Sequence, residues 1–249
     1  MIVGVIPARY GSSRLEGKPL ADICGKPMMQ HTYESVKKSK LLNKVILAVD
    51  DERLYNAAKS FGANVMMTPK DIKTGSDRIA FVAKSLEKAD IIVNIQGDEP
   101  FIKSIMIDES IEPLLFDHSI HVSTLAKKVK SIDELNSPDI PKVVFDYNNF
   151  ALYFSRSTIP FVRDAKDARE IILKHDIYKH IGLYTYRRNA LFEFTNYNPT
   201  DLELTEKLEQ LRMLEHGMKI KVVITENESI SVDTAEDLEK ARLYYKNNF

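Results

Sequence analysis

The sequence predicts an α/β protein: a doubly wound, mostly parallel sheet with an inserted antiparallel subdomain over roughly residues 120–200. Three observations carry that prediction. Short, β-branched apolar runs alternate with amphipathic stretches through the first half. Strand-like runs in the second half have few long helical patterns between them. No composition shift or low-complexity linker interrupts the 249 residues, which read as one α/β domain.

The runs at 2–6, 45–49, 65–68 and 91–95 are almost continuously apolar, as strands buried on both faces require. Between them, residues 28–38, 53–61 and 78–86 are amphipathic at helical spacing. Thr74 and Asp77 stand three apart before Ile79, the spacing of a capping box with Asp in place of Glu. Strands alternating with helices imply βαβ units, whose right-handed crossovers put a ligand crevice at the strands' carboxyl ends. Further strands are expected at 122–126, 142–146, 151–154 and 181–186, with Tyr147-Asn148-Asn149 as a hairpin turn. Thr200 and Glu203 form a capping box opening a helix that carries Leu204, Leu208 and Leu211 and stops at Gly217. A strand at 220–225 and a helix capped by Thr234, running to about Tyr245, complete the chain.

With 44% apolar residues the chain can bury about 70–75% of its unfolded surface. It needs no disulfide, and the single Cys24 fits a reducing compartment. Lys plus Arg is 35 and Asp plus Glu is 36, a net charge of -1 that excludes a strongly basic nucleic-acid domain. Scattered aromatics argue against RNA binding. No apolar run has the length of a membrane span. The opening residues lack the basic start of a signal peptide, so a cytoplasmic protein is expected. No Cys/His cluster has zinc spacing.

The stretch from Pro7 to Leu20 directly follows the first strand. Gly11 and Gly17 allow close backbone approach, Ser12 and Ser13 offer hydroxyls, and Arg9, Arg14 and Lys18 supply cations against one acid, Glu16. A nucleoside triphosphate, with about four negative charges, suits that set; a solvated basic loop is the alternative. The stretch is neither a Walker loop nor a dinucleotide fingerprint. In Gln96-Gly97-Asp98-Glu99-Pro100, Gly97 permits a sharp turn at the end of a buried strand. Asp98 there suits Mg²⁺, or it is a turn or cap aspartate before a helix that Pro100 could begin. Asp233, beside the Thr234 cap, is a second metal ligand or a complement to the helix N-terminus. Thr74 to Arg78 either present backbone groups to a base or form a cap. His180 starts the strand at 181, and Glu209 and Gln210 lie mid-helix; plain structural and solvated roles would explain them. His31 and His216 read as structural.

The segment Ile6-Pro7-Ala8-Arg9-Tyr10-Gly11-Ser12-Ser13-Arg14-Leu15-Glu16-Gly17-Lys18-Pro19-Leu20 resembles the opening of the 3-deoxy-manno-octulosonate (Kdo) cytidylyltransferase family. The segments Val93-Asn94-Ile95-Gln96-Gly97-Asp98-Glu99-Pro100, Tyr153-Phe154-Ser155-Arg156-Ser157-Thr158-Ile159-Pro160 and Lys179-His180-Ile181-Gly182-Leu183-Tyr184-Thr185-Tyr186-Arg187 resemble later family motifs. So do Leu208-Glu209-Gln210-Leu211-Arg212 and Val232-Asp233-Thr234-Ala235-Glu236-Asp237-Leu238. The matches fall in family order across nearly the whole chain. The opening motif alone is shared with other nucleotidyltransferases.

The resemblance implies a nucleotide-diphospho-sugar transferase-like fold. It also implies the reaction of CTP with Kdo, using Mg²⁺, to give CMP-Kdo and diphosphate for lipopolysaccharide. A homodimer paired through the antiparallel subdomain is implied too. Matched onto this sequence, Arg9, Ser12, Arg14 and Lys18 would hold the triphosphate. Gly75, Ser76 and Arg78 would lie by the cytidine, and Ala8, Gly11 and Gln96 would complete the nucleotide site. Asp98 and Asp233 would bind metal. Gln96, Arg156, His180, Tyr184, Glu209 and Gln210 would line the sugar site. Lys18, Arg9 and Asp98 would act in catalysis. Two departures stand out: Glu16 replaces the family's usual Pro, and residues 161–176 differ from familiar members. The rival readings are a cytidylyltransferase for 8-amino-Kdo or a sialic acid, a glycosyltransferase of similar fold, and a non-catalytic nucleotide-binding module.

Overall fold

The computed structural model describes residues 1–11 and 15–248. The chain divides into two compact units, Met1–Asp108 with Glu228–Phe249, and Glu109–Asn227.

In the first unit the strand Ile2–Ala8 pairs in parallel with Lys44–Val49 on one side and with Ile91–Asn94 on the other. Lys44–Val49 in turn pairs in parallel with Val65–Met67. The strands at 2–6, 45–49, 65–68 and 91–95 are thus present, and their apolar runs are buried: Val3, Val5, Leu47, Val49, Ile92 and Val93 lose all contact with solvent. The order of connection reverses at Ile2–Ala8, so the segments leaving it and Ile91–Asn94 diverge and leave a crevice at their carboxyl ends. The intervening helices are Met28–Val36, Glu52–Ser60 and Gly75–Lys84. Thr74 caps the last of these, accepting from the Asp77 amide at 3.1 Å.

Two elements of this part of the chain had no clear sequence signal. Asp22–Ile23 and Lys26–Pro27 form a hairpin whose two loop residues, Cys24 and Gly25, both have positive φ (51° and 91°), the geometry that tight hairpins favour. Helix Ser104–Phe116 is apolar over most of its length and contains Pro113, so it shows no polar stripe. It begins at Ser104, not at Pro100; residues 96–103 form turns. The final helix is Ala235–Asn248, packed through Leu238 and Ala241 against Ile23, Met28 and Phe101.

The second unit contains Val122–Lys128, Lys142–Phe145, Ala151–Ser155, Tyr178–Arg187 and Ile220–Ile224. Tyr178–Arg187 runs antiparallel to both Val122–Lys128 and Lys142–Phe145, and the latter forms the expected hairpin with Ala151–Ser155. Asp146 organises that turn, accepting from the amides of Asn148 and Phe150, with Asn149 at φ 58°. Ile220–Ile224 lies parallel to Val122–Lys128, so this unit is mixed rather than purely antiparallel.

The helix expected from Thr200 to Gly217 is broken. Asp201–Glu206 ends at Lys207, which takes the left-handed conformation (φ 54°), and a second helix, Leu211–Glu215, follows before Gly217. The physical reason is an ion pair. In one straight helix Glu203 and Arg212 would lie about 13 Å apart along the axis. The break folds them together: Arg212 Nε and Nη2 donate to the Glu203 carboxylate at 2.7 and 2.6 Å, both side chains being buried. Glu209 and Gln210 therefore sit in the turn between two short helices, not mid-helix.

Candidate functional site

The first unit carries a cleft of about 440 Å³ at the carboxyl ends of its strands. Among its lining residues are Pro7, Ala8, Arg9, Gly11, Lys18, Gly75, Arg78, Gln96, Gly97, Asp98 and Asp233. Close packing of main chain builds it. A Cβ on Gly97 would lie 2.5 Å from the Pro7 carbonyl oxygen, so only glycine lets the segment after Ile91–Asn94 approach the end of the first strand. The Val232 amide donates to the Asp98 carbonyl at 2.9 Å, which brings Asp233 beside Asp98. The Asp233 amide is held by the Asp237 carboxylate, which also bonds the Thr234 amide at 3.0 Å.

Lys18 lies between these two acids. Its Nζ donates to Asp98 Oδ2 at 2.8 Å and to Asp233 Oδ1 at 3.0 Å. Two carboxylate oxygens from distant segments thus lie within bonding reach of one point. A hard divalent cation takes such oxygens, one or two carboxylates sufficing when substrate phosphates supply the rest. The donor set fits Mg²⁺ on this ground. Beneath it, burial and the charge of Asp98 push the Glu99 carboxyl up to about 7. Glu99 follows Asp98 directly, and its desolvation had no sequence signal.

The loop from Arg9 to Gly17 is tied down at described points. Tyr10 donates its amide to Asp50 at 3.0 Å and accepts from the Gly17 amide at 3.1 Å. The Arg53 guanidinium covers the Tyr10 ring at 3.4 Å from its centroid. Glu16 acts electrostatically on Arg53, so its negative charge has a cationic neighbour. Arg9 donates to the Lys73 carbonyl at 3.0 Å, linking this loop to the segment before Gly75. Ser12 and Arg14 lie outside the described residues. Arg78 reaches the cleft but is fully buried and chiefly scaffolding: it donates to Thr68, to Asp50 at 3.3 Å, and to the carbonyls of Pro69 and Ile72. Among the described residues its Nε has no acceptor. Ser76 is 2% exposed, at the first turn of its helix.

In the second unit, the strand carrying His180 begins at Tyr178 and bulges. Ile181 pairs with Leu125 and Tyr184 with Thr124, so two extra residues stand opposite a single step of the partner strand. In a regular strand His180 and Tyr184 would be about 13 Å apart. The bulge brings their ring centroids to 5.4 Å. Thr124, a residue sequence reading passed over, pins it. Its hydroxyl donates to the Leu183 carbonyl at 2.9 Å and lies 2.9 Å from His180 Nε2. Bulges of this kind re-aim side chains at sites. Burial pushes His180 down to about 3 and Tyr184 well above its ordinary value, so both are neutral near pH 7. Glu209 acts electrostatically on Tyr184, and Gln210 is buried, its Nε2 without an acceptor among the described residues.

Arg156 is committed elsewhere. Its guanidinium donates to the carbonyls of Glu206, Lys207 and Pro138 at 2.7, 3.3 and 2.8 Å. The Glu206 carboxylate accepts from Ser155 Oγ at 2.6 Å and from the Arg156 amide at 2.9 Å. This reciprocal clamp fixes the turn that presents Glu209 and Gln210. Glu206 is a second residue that no motif revealed. His31 and His216 are structural, as the sequence suggested: His31 bonds the Ile23 carbonyl and His216 stacks on Tyr197.

Comparison with known proteins places these features in a family. Residues 3–220 match the cytidylyltransferase family model. The 3-deoxy-manno-octulosonate cytidylyltransferase of Geotalea uraniireducens is 52% identical over 243 residues, 96% of either chain. That of Geobacter sulfurreducens is 50% identical, covering 96% of this chain and 97% of its own. The structure of a CMP:2-keto-3-deoxy-manno-octonic acid synthetase complexed with CTP superposes with a TM-score of 0.92 at 39% identity, spanning 100% of this chain and 99% of its own. The crevice in a parallel unit, the Lys18–Asp98–Asp233 cluster and the full-length similarity agree, and the chain belongs to the 3-deoxy-manno-octulosonate cytidylyltransferase family.

Proposed function

We infer that the protein transfers a cytidylyl group from CTP to Kdo, giving CMP-Kdo and diphosphate. The observation that carries this reading is the convergence of Lys18, Asp98 and Asp233 in a cleft that also presents Arg9, in a chain half identical to enzymes of that name. A glycosyltransferase of similar fold usually carries Asp-x-Asp at its metal, whereas this segment reads Gln96-Gly97-Asp98. A non-catalytic module has no need to retain the lysine and both carboxylates.

In the reaction the sugar's anomeric hydroxyl oxygen bonds to the α-phosphorus and gives up its proton to solvent, as the bond to the bridging oxygen breaks and diphosphate leaves. Arg9 and Lys18 hold the triphosphate and offset charge growing on its oxygens, with Ser12 and Arg14 assigned to the same task by family resemblance. Ala8, Gly11, Gly75, Ser76, Arg78 and Gln96 shape the nucleotide pocket. Asp98 and Asp233 would hold Mg²⁺, which when bound supplies positive charge against the phosphates. His180, Tyr184, Glu209 and Gln210 take the sugar acid, with Arg156 fixing the turn that carries the last two. Positioning and charge neutralisation carry the step.

Diphosphate release with CTP, UTP, ATP or GTP against Kdo, 8-amino-Kdo and a sialic acid tests the reading. Turnover restricted to CTP and Kdo is expected. Equal use of UTP would overturn cytidine recognition, and preference for another acid would reassign the sugar. A cytoplasmic role supplying lipopolysaccharide synthesis belongs to the same proposal. Among the described residues no helix is long and apolar enough to cross a membrane. A homodimer formed through the second unit is supported by Leu152, Phe161 and Leu204, which are at least half exposed there. Sedimentation showing only monomer at micromolar concentration would remove it.

A further inference from the structure

The ammonium of Lys18 occupies the position between the carboxylates of Asp98 and Asp233 that a divalent cation would need. Nζ lies 2.8 and 3.0 Å from one oxygen of each, and 14% of the Lys18 side chain is exposed. The two acids do not depend on the lysine to meet. The Val232–Asp98 main-chain bond, the packing of Gly97 on Pro7 and the Asp237 contact to the Asp233 amide already hold them together. Lys18 arrives from a third segment, the short helical turn Lys18–Leu20, whose main chain is fixed by bonds from Lys18 to Leu15 and from Leu20 to Gly17. Its four-carbon stem can therefore swing the ammonium several ångströms while the backbone stays in place. The cleft that it faces also presents Arg9 and Gly11.

We propose that Lys18 is an exchangeable counter-ion that keeps the carboxylate pair closed to divalent metal until a polyphosphate draws its ammonium away. Metal and nucleotide then load cooperatively. The proposal rests on Asp98 and Asp233 being the metal ligands. Lys18 engages the same oxygens that a metal would take, and a 2+ ion beside an ammonium is repelled. The ammonium offsets one charge of the two carboxylates and so weakens their pull on a second cation. A triphosphate carries about four negative charges, a stronger acceptor for a compact ammonium. When the lysine moves to it, that offset and that repulsion are lifted. Linkage then requires nucleotide to tighten metal as much as metal tightens nucleotide.

Mn²⁺ binding to the full chain, read from the free-ion electron paramagnetic resonance signal, tests this without turnover. Wild type without nucleotide should bind Mn²⁺ weakly. Lys18→Met should tighten nucleotide-free binding by about tenfold or more, within the usual range of coupling between sites. Adding Asp98→Asn to Lys18→Met should abolish the gain. Lys18→Gln, which keeps a donor without charge, serves if the methionine variant does not fold. Nucleotide-free affinity unchanged by removing the Lys18 charge overturns the proposal. A separate arm uses a non-hydrolysable CTP analogue. If Asp98→Asn and Asp233→Asn leave Mn²⁺ in the ternary complex undisturbed, the metal assignment itself fails. If they weaken it while Lys18→Met leaves nucleotide-free binding unchanged, only the counter-ion role fails.

Discussion

The polar cluster of the first unit is ionic and accessible: Asp98 and Asp233 keep 27% and 37% of their side-chain surface, and their partner is a flexible lysine. The cluster of the second unit is neutral and enclosed. His180 and Tyr184 meet on a pinned bulge, Gln210 is buried where the helix breaks, and burial moves the titrations of His180 and Tyr184 away from neutrality. Accessible charges can exchange one partner for another as a phosphate chain enters and leaves. Enclosed neutral dipoles cannot, but their fixed directions can select one pattern of hydroxyls. The two clusters thus call for opposite kinds of sensitivity to mutation.

The largest expected effect is on rate, in the ionic cluster. Lys18→Ala should lower turnover by about 3–4 kcal/mol, roughly 10²–10³-fold, as expected for one lost electrostatic contact at a reacting centre. Asp98→Asn and Asp233→Asn should each remove most activity, and the double variant should be little worse, since groups acting as a unit are not additive. Steady-state kinetics decide this. Additive losses would mean that the two acids act separately, and near-normal turnover of a folded Lys18→Ala would detach Lys18 from the reaction.

Comparable in size is the effect on stability in the second unit. Arg212→Met strips the partner from buried Glu203 and should destabilise by about 3–5 kcal/mol in urea unfolding. The double variant with Glu203→Gln should recover part of that, because position 203 then carries no buried charge, while Glu209, 3.8 Å from Arg212, still loses its cation. A loss below 1 kcal/mol in the single variant would show that the pair does not hold the broken helix together.

The third effect is confined to acid pH. His180 titrates at about 3 in the folded chain against 6.5 when unfolded. Below 6.5 the unfolded state binds the extra proton, so stability should fall as pH drops from 6.5 toward 3. Above 6.5 this residue contributes no pH dependence. Replacing it by Asn should flatten the decline of melting temperature over that window. Identical slopes would mean that the ring is already protonated in the folded protein.

How legible these features were in sequence differed by unit for a physical reason. In the first unit, strands buried on both faces print unbroken apolar runs, and residues that line the cleft follow them within a few positions: Arg9 after Ile2–Ala8, and Asp98 after Ile91–Asn94. Local pattern therefore points to the cleft. The enclosed cluster depends on non-local events. Thr200 and Glu203 do cap a helix, yet Lys207 breaks it because Glu203 must reach Arg212. The pattern Leu204, Leu208, Leu211 cannot show that. Thr124 and Glu206 act by pinning a bulge and a turn, roles set by what lies opposite rather than by sequence neighbours. Helix Ser104–Phe116 escaped because an apolar stretch containing Pro113 lacks the polar face that periodicity needs.

The first unit is assembled from both ends of the chain, and this has a consequence for its birth on the ribosome. Lys18 and Asp233 are 215 residues apart. At about 5–20 residues per second, the lysine leaves the synthesis centre roughly 10–45 s before its second partner exists. No nascent chain that stops short of Asp233 contains both carboxylates. The main-chain bond from Val232 that sets them side by side waits for the same segment. A growing chain therefore cannot form the three-residue cluster until Asp233 has been added, and helix Ala235–Asn248 closes over Ile23 and Met28 directly after it.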